Sequence, residues 1–161
     1  MRIKISKGGA NGSSDDARRP SSGAYPKHPR VAVGAVVFKD ECVLLVRRGQ
    51  PPAQGLWAIP GGSVKLGETL QQAAEREILE ETGVCISAGR PALTFDMVEK
   101  DSAGRIRFHY VIVDLDARYE HGDLRAGDDA MEARWVSRTD IGLMEVSAKT
   151  LRLLKERYGF H

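Results

Sequence analysis

The stretch Gly62–Val84, GSVKLGETLQQAAEREILEETGV, decides the reading of this chain. Thr69 is a good N-cap and Gln72, three residues on, completes a capping box, so a helix is expected over Thr69–Thr82. Gly83 stands where a left-handed residue can end it. From Leu70 onward, one helical face carries Leu70, Ala73, Ala74, Glu77, Ile78 and Glu81. A helix packed on a sheet should present an apolar stripe there. The first turns obey; then Glu77 and Glu81 fall in line with core residues, with Glu80 beside them.

Two like charges about 5 Å apart repel by roughly 3 kcal/mol at an effective dielectric of about 20. Three carboxylates converging on a partly buried face would therefore be costly without a cation, and the negative end of the helix dipole adds to the cost. Oxygen-only ligands suit Mg²⁺ or Mn²⁺. The alternative is a solvated acidic face, where like-charge pairs cost only a few tenths of a kcal/mol. Geometry alone leaves the two readings nearly balanced.

Upstream, order is expected to begin at Val31. VAVGAVVF reads as a strand buried on both faces, Lys39–Glu41 as a turn, and CVLLVRR (Cys42–Arg48) as the returning strand. Residues 50–55 form a loop, and Leu56–Ile59 is a short extended piece stopped by Pro60-Gly61-Gly62. Downstream, Val84–Ser87, Ala92–Glu99 and Arg105–Ala117 have strand character, with a turn at Asp101–Gly104. His121–Asp129 is a polar loop and Ala133–Ser137 a strand. Ala148–Tyr158 is a closing helix with its stripe at Leu151, Leu154 and Tyr158. Strands before, between and after two helices indicate an α/β domain with a mixed sheet.

The 161 residues suit one domain, with 42% hydrophobic and 29% charged residues. The net charge of +2 hides a division. Residues 1–30 hold seven Lys or Arg against Asp15 and Asp16, a net of +5, leaving 17 basic and 20 acidic residues, a net of −3. The basic character belongs to a Gly-, Ser-, Arg- and Pro-rich tail, expected to be flexible and disordered over 1–30, ahead of a domain over 31–161. The folded part offers no electrostatic case for nucleic acid. No apolar run approaches the roughly 20 residues of a membrane span. Cys42 and Cys85 lack disulfide or metal spacing and are read as reduced thiols of a cytoplasmic protein.

Gly62, Glu68, Arg76, Glu77, Ile78, Glu80, Glu81, Gly83 and Val84 together resemble the Nudix box, G-x5-E-x7-R-E-U-x-E-E-x-G-U, with U aliphatic. Nine matching positions over 23 residues make a specific signal, and the likeness extends over about residues 31–157. It implies an α/β/α sandwich carrying a hydrolase of nucleoside diphosphates linked to another moiety. By position, Glu77, Glu80 and Glu81 would bind Mg²⁺ or Mn²⁺, with the Gly61 carbonyl as a further ligand. Arg76 would orient Glu77, and Glu68 would hold the loop onto the helix or bind an outer cation. The general base would come from the box (Glu80 or Glu81) or from GDLRAGDDAMEARW, which offers Asp128, Asp129 and Glu132; Asp129 is preferred.

Arg47 and Arg48 are candidate phosphate ligands, but alternate strand residues face opposite ways, so at most one should reach substrate. Phe108 and Tyr110 share a strand face and could flank a nucleobase, with core packing as the default. Trp57 and Trp135 are assigned to the core. RFHYVIVDL followed by GDLRAGDDAMEARWV is most similar to bacterial ADP-ribose pyrophosphatase-like members, which implies release of AMP and ribose 5-phosphate. One departure is Glu99, 15 residues past Val84, where many ADP-ribose enzymes carry proline. The tyrosine of diadenosine polyphosphate hydrolases is also absent, residues 100–102 being Lys-Asp-Ser. Nucleoside triphosphate pyrophosphohydrolysis is the alternative, and a non-catalytic sensor domain is the third reading. The expected partner is a small-molecule nucleotide, with neither nucleic acid nor membrane, and a homodimer is admissible.

Overall fold

The computed structural model describes residues 23–127 and 129–161. In chain order it contains β1 (Arg30–Lys39), β2 (Cys42–Arg48), β3 (Trp57–Ala58), β4 (Gly61–Ser63), α1 (Leu70–Thr82), β5 (Cys85–Lys100), β6 (Ile106–His121), β7 (Ala130–Val136), α2 (Arg138–Ile141) and α3 (Ala148–Tyr158). The sheet runs β3-β2-β1-β6-β5, with β4 also on β1 and β7 also on β2. β1 and β6 are parallel and the other pairs antiparallel, so the sheet is mixed.

The alternation along β1 builds two cores. Val33, Ala35 and Val37 pack with Leu44, Val113 and Leu115 against Ala73, Ala74 and Ile78 of α1. Val36 packs with Val43, Leu45, Trp57 and Ile59 against Leu153 and Leu154 of α3. A helix covers each face, giving the α/β/α sandwich. β1 also forks the sheet. Its first half pairs with β4 (Val33 with Gly62, Gly34 with Gly61), while its end pairs with β2 (Phe38 with Val43).

Several elements differ from the sequence expectation. The two segments around Gly89–Pro91 are one strand, β5, because Pro91 is accommodated at register shifts against β6 rather than ending the strand. Gly61-Gly62, expected as a stop, forms β4, since two residues without side chains can lie close against β1. The short helix α2, capped by Ser137, makes three helices among the described residues instead of two. On α3 the buried residues are Thr150, Leu153 and Leu154, while Leu151 is exposed. Of the stretch expected to be a flexible tail, residues 1–22 lie outside the described residues. The Tyr25 amide donates to the Arg107 carbonyl at 2.8 Å, and its hydroxyl to Asp101 at 3.1 Å. No helix among the described residues is long and apolar enough to cross a membrane.

Candidate active site

Helix α1 is positioned at both ends by local chemistry. The Thr69 side chain accepts from the Gln72 amide, the Gln72 side chain accepts from the Thr69 amide, and Gly83 ends the helix at φ 70°. The next loop then fastens to the helix's last carbonyls. Gly127 N–H donates to Glu81 O at 2.7 Å and Arg125 N–H to Thr82 O at 2.9 Å. These bonds satisfy carbonyls that a helix end leaves without partners. They also bring Asp129 beside the carboxylate half of α1.

Arg76 organises that half. Its Nε and Nη2 hold the two oxygens of Glu68 at 2.6 and 2.8 Å. Its Nη1 donates to Glu77 at 2.7 Å and Glu80 at 3.1 Å, and Nη2 also donates to the Ser63 carbonyl at 3.1 Å. The two-pronged contact therefore goes to Glu68, and Glu77 receives a single bond. Glu68 also accepts from the Lys65 amide at 2.9 Å. Arg76 first, and then that amide, hold its carboxyl down at about 2. Glu77 lies under Gly62, where any side chain would run into its carboxylate.

Glu81 points another way and accepts from the Gly61 amide at 2.9 Å. Burial pushes its carboxyl up to about 7; the Gly61 bond and the Arg48 charge oppose the rise, while Glu77 and Asp129 add to it. Glu80 is exposed and has Lys65 Nζ at 3.8 Å from its other oxygen. Among the described residues, no three His, Cys, Asp or Glu side chains stand close enough to hold one ion together. The expected convergence of Glu77, Glu80 and Glu81 is thus only partial. Arg76 draws Glu77 and Glu80 to itself, and Glu81 turns to the Gly61 backbone.

The two candidate arginines separate as strand alternation requires. Arg48 lies near enough to Glu81 for its charge to act there, and its Nε donates to Pro52 O at 2.8 Å. Arg47 faces the other side of the sheet. There it donates to Gly55 O at 3.0 Å and lines a hollow with Trp57, Glu132, Arg134 and Met144. Glu132 pairs with Arg47 in register and is held by Arg134, so it stands on the face away from Glu81 and is removed as a candidate base. Asp129 is exposed, its carbonyl accepting from Gly49 N–H at 3.2 Å. Asp128 lies outside the described residues.

Phe108 is fully buried and cannot stack on a nucleobase. The Tyr110 ring, on the same face, has the Arg30 guanidinium 5.8 Å from its centroid, and its hydroxyl lies against Gly23. The aromatic pair therefore serves packing, because the segment entering β1 takes up that part of the sheet. Trp57 is 6% exposed within the α3-side core. Trp135 is half-buried, packing on the α1-side core and edge-on to Tyr119. The sequence reading missed the parts played by Lys65 and Gly127. Both act through backbone amides, which leave no residue-type signal beyond the loop glycine itself.

The NUDIX domain model matches residues 28–156. An ADP-ribose pyrophosphatase of Methanocaldococcus jannaschii is 38% identical over 108 residues, covering 67% of this chain and 62% of that protein. The chain spans less still, 33% and 31%, of two vertebrate relatives. The MutT NUDIX hydrolase of Burkholderia pseudomallei superposes with TM-score 0.69 at 26% identity, covering 81% of this chain and 98% of that one. The NUDIX domain of Shewanella oneidensis NrtR, complexed with ADP ribose, superposes with TM-score 0.62 at 27% identity, covering 80% and 86%. With nearly the whole described chain inside the family model, this protein belongs to the Nudix domain family.

Proposed function

We propose that this chain hydrolyses a nucleoside diphosphate linked to another moiety, with ADP-ribose cleaved to AMP and ribose 5-phosphate, using Mg²⁺ or Mn²⁺. The observation that carries the reading is the Arg76 clamp, which fixes Glu68, Glu77 and Glu80 around one guanidinium while Glu81 sits against Gly61. The 38% identity to an ADP-ribose pyrophosphatase supports the choice of substrate.

The donor set fits a hard divalent cation. Glu77, Glu80, Glu81 and the Gly61 carbonyl offer only oxygen, and burial of Glu81 leaves its carboxylate in need of positive charge. Glu80, exposed and bonded to Arg76 and Lys65 at the surface, needs only a side-chain rotation to change partners. When bound, the cation neutralises charge on the diphosphate and makes a water molecule more acidic. Both Glu68 oxygens are engaged by Arg76 and the Lys65 amide, so Glu68 acts as the clamp between loop and helix. Arg48, on the Glu81 side of β2, holds a phosphate oxygen by its fixed positive charge. Asp129 takes a proton from the attacking water, whose oxygen bonds to phosphorus as the bridging P–O bond breaks and its electron pair leaves with the departing phosphate.

The deciding experiment is product analysis with ADP-ribose, NADH, diadenosine polyphosphates and the (d)NTPs, each with Mg²⁺ and with Mn²⁺. The expected products from ADP-ribose are AMP and ribose 5-phosphate. Release of pyrophosphate and a nucleoside monophosphate from a triphosphate, with ADP-ribose untouched, would overturn this substrate in favour of triphosphate pyrophosphohydrolysis. Glu99 in place of the proline is the sequence feature pointing that way.

A further inference from the structure

Two glycines far apart in sequence meet the Asp129 loop from different sides. Gly127 lies against the last turn of α1. Its N–H donates to the Glu81 carbonyl at 2.7 Å, and its own carbonyl accepts from the Ala130 amide at 3.2 Å. A Cβ on Gly127 would run into the Glu80 carbonyl oxygen and lie 3.0 Å from Glu81 Cα. Gly49 follows Arg48 at the end of β2, and its N–H donates to the Asp129 carbonyl at 3.2 Å. A Cβ there would stand 2.8 Å from that same oxygen.

Neither Gly49 nor Gly127 is among the glycines with positive φ, so backbone twist is not what calls for glycine at these two positions. What both require is space. At Gly127 the neighbour is helix backbone, which cannot turn aside as a side chain would. A methyl group there therefore drives the loop away from α1, and a methyl group on Gly49 drives it away from β2.

What each contact ties together gives the pair its significance. Gly127 rests on the backbone of Glu80 and Glu81, two of the proposed cation ligands. Asp129 is two residues further on, at most about 7 Å of chain. Ala130 then pairs in register with Arg48, the arginine assigned to a phosphate oxygen. The charges of Arg48 and Asp129 both reach the Glu81 carboxylate. Base, cation ligands and arginine are thus joined through backbone contacts that leave no slack between them.

We propose that Gly127 and Gly49 are positioning residues for the hydrolytic step, their close backbone contacts fixing Asp129 at the distance from Glu81 that the attacking water spans. This rests on the reading of the chain as a metal-dependent hydrolase with Asp129 as its base. The two glycines touch neither water nor substrate. They act by removing the freedom of the residue that does, and a displacement of about 1 Å at such a residue costs about 10²-fold in rate.

The test is a double-mutant cycle between Gly127→Ala and Asp129→Asn. It is measured on ADP-ribose or, if that is untouched, on the triphosphate that the protein cleaves. Gly127→Ala alone should lower kcat by about 10- to 100-fold with KM within a few-fold of normal. Its Tm should still rise with Mg²⁺, because the carboxylates of Glu77, Glu80 and Glu81 are untouched. In the Asp129→Asn background the same change should cost less than about 3-fold, since the group it displaces is already gone. Gly142→Ala, where a Cβ meets nothing within 4 Å, is the control and should be normal. A normal kcat in Gly127→Ala, equal losses in both backgrounds, or loss of the Mg²⁺-induced rise in Tm overturns the proposal. If Gly127→Ala fails to fold by circular dichroism, Gly49→Ala decides by the same cycle and the same outcomes. The base reading fails separately: a near-normal kcat in Asp129→Asn alone removes Asp129 whatever the glycine variants do.

Discussion

Arg76 and Glu68, eight residues apart, are joined by a two-pronged ion pair with Nε–Oε1 at 2.6 Å and Nη2–Oε2 at 2.8 Å. A planar guanidinium makes this fork and an ammonium cannot. Arg76→Lys keeps the charge but releases either the Glu68 clamp or the Glu77 and Glu80 contacts. Substitutions that disturb the supports of metal ligands cost about 10- to 100-fold in activity or metal affinity. The expectation is a loss in that range in kcat/KM, with the fold retained by circular dichroism. Normal activity in Arg76→Lys would show that the fork is dispensable.

Metal binding is checked by thermal unfolding with and without Mg²⁺ or Mn²⁺. A cation that binds only the folded state stabilises it by about 2.7 kcal/mol at a hundred times its Kd, so Tm should rise. Glu80 is exposed, so Glu80→Gln should change the metal-free Tm little. The metal-induced rise should largely disappear in that variant. An unchanged rise removes Glu80 from the cation site.

Asp114, buried in β6, gives a pH dependence of defined sign. Burial pushes its folded value up to about 6, above the ordinary 3.8, so the folded state holds the proton more tightly. Its contribution to stability is therefore fully present below about pH 4 and is lost as pH rises through about 6. The loss is at most about 3 kcal/mol. Denaturant titrations at a series of pH values should show that Asp114→Asn gains on the unaltered protein between pH 4 and 6, with a constant difference above. A difference that does not change across this window excludes an unpaired carboxylate there.

For the base, Asp129→Asn should lower kcat by about 10²- to 10⁴-fold with little change in KM. Higher metal concentration should not restore it, because the defect lies in proton transfer. A near-normal kcat would move the base to Asp128 or into the box at Glu80 or Glu81. Glu132 is no longer a candidate, since it stands with Arg47 on the opposite face of the sheet.

What was legible in the sequence was mostly local. The ends of α1 and α3 follow from Thr69, Gly83, Ser147 and Gly159, whose capping geometry depends on a few adjacent residues. That only one of Arg47 and Arg48 could reach the carboxylates follows from the period of two. Which one does so depends on the sides taken by α1 and α3, a tertiary fact. Phe108 and Tyr110 share a face for the same reason, but the covering of Tyr110 depends on Gly23 and Arg30, far away in sequence. Glu80 was expected to join Glu77 and Glu81. Helical spacing gave its direction and omitted the competing pull of Arg76 at 3.1 Å. Asp114 sits in the apolar run HYVIVDL and Gly34 in VAVGAVV. Each departs from its strand's pattern, but only their pairing across β1 and β6 joins the two departures, since a side chain at Gly34 would collide with the Asp114 carboxylate.

The parallel pairing of β1 with β6 also bears on how the chain acquires this site. Arg30 meets Tyr110, 80 positions further along the sequence. Contacts so far apart require a large loop to close before they are rewarded, which slows folding. The carboxylate helix lies inside that loop, and its docking face of Ala73, Ala74 and Ile78 rests on both Val33 and Leu115. During synthesis α1 can coil early from its own caps, but it has no complete surface to settle on until β6 has left the ribosome. The acidic cluster is thus assembled in one of the last cooperative steps, and a nascent chain stalled before residue 106 should be unable to retain metal.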